Sequence, residues 1–180
     1  MAVQIGEKKQ AGFDDPLGML SDCHRRIERF LAALLLISRS KRGGELSQGE
    51  KETLSSALEY FRTSGPRHTA DEEESLFPRM RNCAAAAKAL ERIEALESDH
   101  TAASQAHDEV DALGRRWLET GHLAESDAAR MAALLDTLSA LYARHIEIED
   151  QQVFPLAGQA LEASDVSAIG DEMARRRGLR

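Results

Sequence analysis

The sequence predicts an all-α protein, an antiparallel four-helix bundle with a short additional helix at the carboxyl terminus. Three observations support this fold class. Alanine and leucine dominate a chain in which 42% of residues are hydrophobic and only 4% are aromatic, a composition that favours helices over strands. Apolar residues recur at intervals of three and four along four long segments. Helix-capping and helix-breaking residues separate these segments from one another.

The first helical hairpin is predicted from its caps and its breakers. Helix 1 begins near Asp15, with a proline in its first turn, and ends near Ser40 before a Gly-Gly pair. Helix 2 begins after Ser47 and meets Gly65-Pro66 on the way to its end. We expect a kink or a restart at that pair, because an interior proline removes a backbone hydrogen bond.

The second hairpin is predicted in the same way. Helix 3 spans roughly residues 84–119, and helix 4 begins after Ser126, beyond a turn that contains a glycine. A short fifth helix follows at about 165–177. We expect three parts in the chain: a flexible lead-in at 1–14, the bundle at 15–160, and a C-terminal helix with a basic tail at 161–180.

Charge and composition exclude several classes of function. The net charge of −8 argues against a general nucleic-acid partner. No apolar run approaches the ~20 residues that a membrane-spanning helix needs, and the N-terminus lacks a secretion signal. Cys23 and Cys83 lie far apart, in no metal or redox spacing, which is typical of a reduced compartment. We therefore expect a cytoplasmic protein, as a monomer or a homodimer, with no membrane partner.

One motif occurs twice in the chain. The stretches "RHTADEEESLFPRM" and "RHIEIEDQQVFPLA" both read His, three residues, Glu, four residues, Phe-Pro. Their histidines, His68 and His145, are 77 residues apart. Each copy follows a single histidine on the preceding helix, His24 in the first half and His100 in the second. Each half therefore reads as one helical hairpin, and the two halves form one domain with internal pseudo-symmetry.

The motif places a histidine and a glutamate on the same face of each helix, since positions i and i+4 lie one turn apart. His68 with Glu72, and His145 with Glu149, fall on apolar stripes and should point into the bundle. Two buried carboxylates are costly unless cations compensate them, and bundles build two-ion sites in this way. Mixed nitrogen and oxygen ligands suit iron, manganese or zinc. The candidate ligands are His24, His68, Glu72, His100, His145 and Glu149.

Blander interpretations of these residues stay open. A single histidine on an apolar stripe is often a core residue that a neighbour satisfies. The acids Glu73, Glu74 and Glu147 fit a solvated helix face, as does Asp150, although Asp150 at i+5 from its histidine could be a ligand instead. The Phe-Pro pairs are expected to cap the core with an aromatic ring and to stop the helix.

His107 is a further candidate on the third helix. It follows His100 by seven residues, faces the same way and lies ~10.5 Å further along the axis. Two ions that share carboxylates would not easily span that distance, so we predict that His100 is the ligand. His107 then hydrogen-bonds near the site, assists proton or gas access, or is a plain core residue.

These motifs resemble the hemerythrin-like, or HHE cation-binding, domain, a four-helix bundle that holds a non-haem di-iron centre. The resemblance covers about residues 15–160. It implies that the six candidate ligands bind two iron ions joined by an oxo or hydroxo group, with zinc or manganese as alternatives. Glu72 and Glu149 would be the bridging carboxylates. The oxygen-carrying hemerythrins differ, because they have two histidines four apart on the third helix and end in His-x-x-x-x-Asp.

The chain is closer to the hemerythrin-like proteins linked to iron sensing, nitric oxide response and iron-centre repair. We expect it to bind or react with oxygen, nitric oxide or peroxide, or to sense or store iron, as a binding protein more than as an enzyme. The alternative is a non-catalytic interaction module with a structural metal site. A ferritin-type oxidase fits less well, since that site uses Glu-x-x-His.

Overall fold

A computed structural model describes residues 10–179, apart from the side chain of Lys88. Within this range the four long helices pack side by side, α1 against α2 and α5, and α4 against the same two helices. This arrangement confirms the predicted all-α bundle. The α-helices are α1 (Pro16–Lys41), α2 (Gln48–Asp71), α3 (Phe77–Asn82), α4 (Leu90–Thr120), α5 (Glu125–Ile148), α6 (Phe154–Ala160) and α7 (Ala163–Arg176), with a 3₁₀ turn at Ala84–Ala89.

Capping residues that can be recognised in the sequence stabilise the starts of α1 and α2. Asp15 accepts a hydrogen bond from the backbone N–H of Gly18 at the start of α1. Helix α2 begins after Ser47, as predicted, and Ser47 and Glu50 form a reciprocal capping box there. Helix α5 begins at Glu125, earlier than predicted, and no side chain caps it. The missing cap explains why its start was harder to place from the sequence.

We expected a kink or a restart at Gly65-Pro66; the restart does not occur, because α2 continues through both residues as one helix. Pro66 is exposed, while Phe61 and His68, on either side of it, are buried. Burial on both sides holds the helix in register, and this outweighs the single backbone hydrogen bond that a proline cannot donate.

The two Phe-Pro pairs continue the helices, so the predicted helix stops are wrong. Each motif glutamate opens a five-residue π turn, at Glu72–Leu76 and Glu149–Val153, and α3 and α6 follow directly. The backbone N–H of Phe77 and of Phe154 donates to the carbonyl of the respective glutamate. Each proline then lies in the first turn of a new α-helical segment, where its missing N–H costs little. Both phenylalanine rings are buried, as predicted.

Two apolar clusters fill the interior of the bundle, and the histidines lie at the boundary between them. On α1, Leu20 belongs to one cluster and Ile27 to the other, with His24 between them. On α4, Leu96 and Ala103 flank His100 in the same way. The polar residues therefore occupy a narrow layer that packed hydrocarbon encloses on both sides.

Helix α7 packs on α1, α2 and the first π turn, where ion pairs hold it. Arg177 and Arg176 bind the buried carboxylate of Asp71 at 2.6 and 3.0 Å, and Arg79 binds Glu172 at 2.8 Å. The predicted basic tail is thus partly committed to the bundle.

The predicted lead-in is described only from residue 10 onward, and residues 1–9 lie outside the described part. Within it, the backbone N–H of Ala11 donates to Asp22 at 2.8 Å. Between residues 10 and 179, no helix combines the length and apolarity needed to cross a bilayer.

Candidate metal centre

Four side chains from three segments of the chain form the first half of a buried cluster. They are His24 on α1, His68 on α2, and the two glutamates that begin the π turns, Glu72 and Glu149. Nε2 of His24 lies 3.0 Å from Glu149 Oε2 and 3.9 Å from Glu72 Oε1, and Nε2 of His68 lies 3.5 Å from Glu72 Oε1. One potential ligand atom from each residue falls within 4.8 Å of the others.

The second half of the cluster uses the same two glutamates. His100 on α4 and His145 on α5 also lie close to them, with Nε2 of His100 3.3 Å from Glu72 Oε2 and Nε2 of His145 3.2 Å from Glu149 Oε2. These four residues again place one potential ligand atom each within 4.8 Å. The structure therefore brings all six sequence-predicted candidates together, in two sets that share Glu72 and Glu149.

The buried carboxylates of the cluster favour a bound cation. Glu72 and Glu149 are both 0% exposed, and neither carboxylate accepts a well-aligned hydrogen bond among the described residues, although an imidazole nitrogen lies as close as 3.0 Å. Nε2 of His24 and of His100 likewise has none there. Buried carboxylates are strongly disfavoured unless positive charge compensates them, and imidazole nitrogens with carboxylate oxygens around a common point suit a divalent or trivalent transition metal. The donor set fits a metal site.

The protonation equilibria show the same demand for positive charge. Burial acts to lower the pKa of His24, but the carboxylates of Asp150 and Glu149 outweigh it and raise the pKa to about 10. Burial opposes protonation of His100 as well, and Glu72 is the main group that raises its pKa to about 9. Burial and the charge of Glu149 raise the pKa of Glu72 to about 7, while nearby histidines overcome burial and lower that of Glu149. Protons thus supply charge that metal ions could supply instead.

Two acids outside the cluster fix the orientation of two of its histidines. The Nδ1–H of His24 donates to Asp150 at 3.0 Å, and the Nδ1–H of His100 donates to Glu73 at 2.8 Å. Such a bond directs Nε2 of each ring at the cluster, where it could bind a metal ion in place of its proton. The expectation that Glu73 and Asp150 belong to a solvated face is therefore wrong, because both are partly buried against imidazoles. Asp150 approaches the outer nitrogen of His24 and is not part of either four-residue set.

The other two histidines are supported differently. Nδ1 of His145 lies 3.5 Å from Asp99, whose carboxylate Arg144 holds at 2.6 Å. Nδ1 of His68 is buried without a hydrogen-bond partner in the described part of the chain. Burial therefore lowers the pKa of His68 well below its ordinary value, and this ring stays neutral.

The motif phenylalanines support the same two rings as the acids. Phe154 stacks on His24 with ring centroids 5.4 Å apart and planes 14° apart. Phe77 stacks on His100 at 6.4 Å and 11°. Each phenylalanine comes from the opposite half of the chain to the histidine that it covers. Each half of the repeat therefore supplies a phenylalanine that packs on a histidine of the other half.

His107 lies outside both four-residue sets. Its Nε2 is 3.0 Å from the hydroxyl of Tyr142, and its ring stacks on Phe61 with centroids 4.1 Å apart. Burial lowers the pKa of His107 to about 4, so the ring is neutral at physiological pH. Tyr142, the partner of His107, was not predicted from the sequence. The one signal for it there is its position three residues before His145, on the same helix.

A cavity of about 560 Å³ connects the centre to the surface between α2 and α4. All four clustered histidines line its inner end, together with His107 and Tyr142. Its exposed lining residues include the small Pro66 and Ser104 and the charged Arg62, Glu74 and Asp108. The imidazole face of the centre is therefore accessible from outside.

The comparison with protein families agrees with this geometry. The family model for the hemerythrin HHE cation binding domain matches residues 15–157. The chain belongs to this family. The match spans all four long helices and both π turns, so the HHE domain includes every residue of the buried cluster. It ends within α6, before α7 begins.

A relative of nearly equal length is known from Haemophilus influenzae. It is an uncharacterized protein, 27% identical over 176 residues, which cover 97% of this chain and 98% of the relative. The likeness therefore extends beyond the HHE domain into α7. It carries no functional description to this chain.

Proposed function

We propose that this HHE domain holds two iron ions and that the centre binds or reacts with a small ligand such as oxygen, nitric oxide or peroxide. The observation that carries the proposal is the sharing of Glu72 and Glu149 between two sets of four buried ligand-type side chains. A carboxylate has two oxygens, so each glutamate can bridge two ions. His24 and His68 would add their nitrogens to the coordination of one ion, and His100 and His145 to that of the other.

The donor chemistry supports a redox metal with free positions. Four imidazoles and two bridging carboxylates underfill two six-coordinate ions, and the six ligand residues contain no thiolate. When bound, a pair of iron ions supplies electron transfer and open positions for a small ligand. The Nδ1–H bonds of His24 and His100 orient both imidazoles, and each would bind an ion through Nε2 after losing the proton there.

The surroundings favour a reactive centre over a purely structural one. A structural metal site is usually closed by protein ligands, whereas this cluster borders a cavity that reaches the surface. Apolar clusters on both sides keep bulk water away from the remaining faces. A small ligand can therefore enter from one direction and meet the centre within a largely dry environment.

The test begins with metal content. Protein from iron-supplied cells should contain two iron ions per chain by elemental analysis, and Mössbauer spectra should show an antiferromagnetically coupled pair. Anaerobic reduction followed by oxygen, peroxide or nitric oxide should give a distinct absorption spectrum for the ligand that binds. A folded protein that holds zinc alone, and stays unchanged with all three ligands after iron loading, would support the structural-metal alternative.

A further inference from the structure

The cavity beside the centre is much larger than a small gaseous ligand requires. Its volume is about 560 Å³. A water molecule occupies about 30 Å³ in the liquid, and a diatomic molecule is of similar size. Cavities of roughly 300–1,000 Å³ are typical of sites for organic molecules. The space is therefore sufficient for an organic molecule of roughly ten non-hydrogen atoms.

The walls of the cavity are apolar over much of their area. Three of the bundle helices contribute buried hydrocarbon or aromatic surface to it. These wall residues are Ile27 from α1, Leu58 and Phe61 from α2, and Ala103 and Val110 from α4. Such walls favour a molecule with an apolar body, because burying that body removes its surface from water.

One uncharged polar pair interrupts these walls. His107 and Tyr142, joined by the 3.0 Å contact between Nε2 and the hydroxyl oxygen, both line the cavity. Burial lowers the pKa of the imidazole and raises that of the phenol, so both groups are neutral at physiological pH. Hydroxyl and imidazole groups can each donate or accept, and together they suit one hydroxyl group on a ligand.

The rim of the cavity disfavours anions. Its four carboxylates, on Glu73, Glu74, Asp108 and Asp111, outnumber its two guanidinium groups, on Arg62 and Arg115. Both arginines are paired with acids, Arg62 with Glu59 and Arg115 with Asp111. Two of the acids have further basic partners, Arg176 for Glu74 and His100 for Glu73, and with all these partners counted the acids still outnumber the basic groups. A negatively charged molecule would meet net repulsion at the entrance, whereas a neutral one would not.

We propose that this cavity binds a neutral organic molecule with an apolar body and one hydroxyl group, an alcohol or phenol, beside the metal centre. The apolar walls hold the body, and the His107–Tyr142 pair receives the hydroxyl group. Neither the apolar wall residues nor His107 and Tyr142 belong to the two sets of candidate metal ligands, so the inference goes beyond the proposed function.

A matched pair of ligands tests the chemical class. The metal-loaded protein is titrated with 1-octanol and with octanoate, which share one chain length and differ in charge, and binding is followed by calorimetry. We expect one molecule of octanol per chain, with at least tenfold higher affinity than octanoate. Octanol that does not bind, or octanoate that binds as tightly or more tightly, overturns the proposal.

A matched pair of variants tests the location. Ala103→Leu adds carbon atoms to the buried cavity wall, whereas Ala102→Leu makes the same change at the exposed neighbouring position. Octanol affinity should fall at least tenfold in the first and change less than twofold in the second. If Ala103→Leu loses metal or fails to fold, Val110→Phe fills the wall further from the centre and should have the same effect. Undiminished octanol binding in the folded wall variant places the ligand elsewhere and overturns the proposal.

The same samples separate this inference from the proposed function. Elemental analysis of each preparation reports the iron content independently of octanol binding. A protein with two iron ions that ignores octanol contradicts only the cavity proposal. A protein that binds octanol at the cavity but never holds iron contradicts only the di-iron proposal.

Discussion

Asp150, in the second half of the chain, accepts a hydrogen bond from Nδ1 of His24, in the first half, at 3.0 Å. The repeat mirrors this relationship, since Glu73 in the first half accepts from His100 in the second half at 2.8 Å. Asp150 and Glu73 each follow a motif glutamate directly. The acid of each half therefore orients a histidine of the other half, and the centre depends on correct docking of the two hairpins.

The first prediction concerns these orienting acids. Asp150→Asn and Glu73→Gln should each weaken metal binding by about tenfold or more, because loss of the carboxylate reduces the basicity and alignment of the imidazole. Glu147→Gln is the matched control, because Glu147 is exposed and belongs to neither four-residue set. Competition with a chelator measures the affinities. Equal affinity in all three variants would show that the outer hydrogen bonds do not matter.

The second prediction concerns the shared glutamates. Glu72→Ala and Glu149→Ala each remove a residue that belongs to both four-residue sets, so each should lose most of both ions. His68→Ala affects one set only and should retain close to one ion per chain. Elemental analysis after gel filtration gives the stoichiometry. Retention of one ion by the glutamate variants would argue against bridging. Metal loss from Asp150→Ala combined with metal retention by Glu149→Ala would indicate that Asp150, at i+5 from His145, is the ligand.

The candidate ligands could be predicted because their signal is local. His68 and Glu72 are one helical turn apart, and any helix places them on one face. The repeat at 77 residues then doubled the pattern, and the two single histidines fell on matching stripes. Convergence of all six residues follows from the bundle, whose four inward faces meet at the same level.

The orienting hydrogen bonds could not be placed from helix periodicity alone. Glu73, in the π turn after α2, contacts His100 on the neighbouring helix α4. Such a contact depends on the rotation of each helix and on the π turn that begins at Glu72. A signal did exist, since Glu73 and Asp150 are acids at equivalent positions of the repeat. The role of Arg177 was hidden for the same reason, because its partner Asp71 is 106 residues away.

The third prediction concerns pH and the metal-free protein. The folded pKa values of His24 and His100, about 10 and about 9, exceed the ordinary value of 6.5. Raised pKa values stabilise the folded state fully below pH 6.5, and this contribution is lost as the pH rises through 9 to 10. His68 and His107 have lowered pKa values, so they destabilise the fold only below pH 6.5. Stability of the metal-free protein should therefore be greatest near pH 6.5.

Thermal unfolding between pH 5 and pH 10 checks this expectation. Between pH 7 and pH 10 the metal-free protein should lose on the order of a few kcal/mol of unfolding free energy. The metal-loaded protein should lose much less over the same range, because its imidazoles are already neutral ligands. Parallel curves for the two forms would contradict the link between these histidines and the metal centre.

The fourth prediction concerns the attachment of α7. Asp71 is 0% exposed and directly precedes Glu72, and Arg176 and Arg177 neutralise it. Replacing both arginines with alanine leaves a buried carboxylate without a cation, which should cost about 3 kcal/mol of unfolding free energy. The distortion should also speed metal release to a chelator, because the adjacent π turn carries Glu72.

Arg175→Ala provides the control for this experiment, because Arg175 is exposed on the same helix. It should leave both the melting temperature and the rate of metal release close to those of the unaltered protein. If the double variant behaves like Arg175→Ala, α7 is an appendage that does not support the centre.

The last prediction separates the two histidines of α4. His100 belongs to one four-residue set, donates a hydrogen bond to Glu73 and stacks against Phe77. His100→Ala should therefore lose at least one of the two ions. His107 instead contacts Tyr142 and Phe61 in the cavity, so His107→Ala should keep both ions while changing access to them. Elemental analysis reports the ions, and stopped-flow mixing of the reduced protein with nitric oxide reports access. Circular dichroism establishes that both variants are folded. Loss of metal from His107→Ala, with retention by His100→Ala, would reverse the assignment and move the centre towards the cavity.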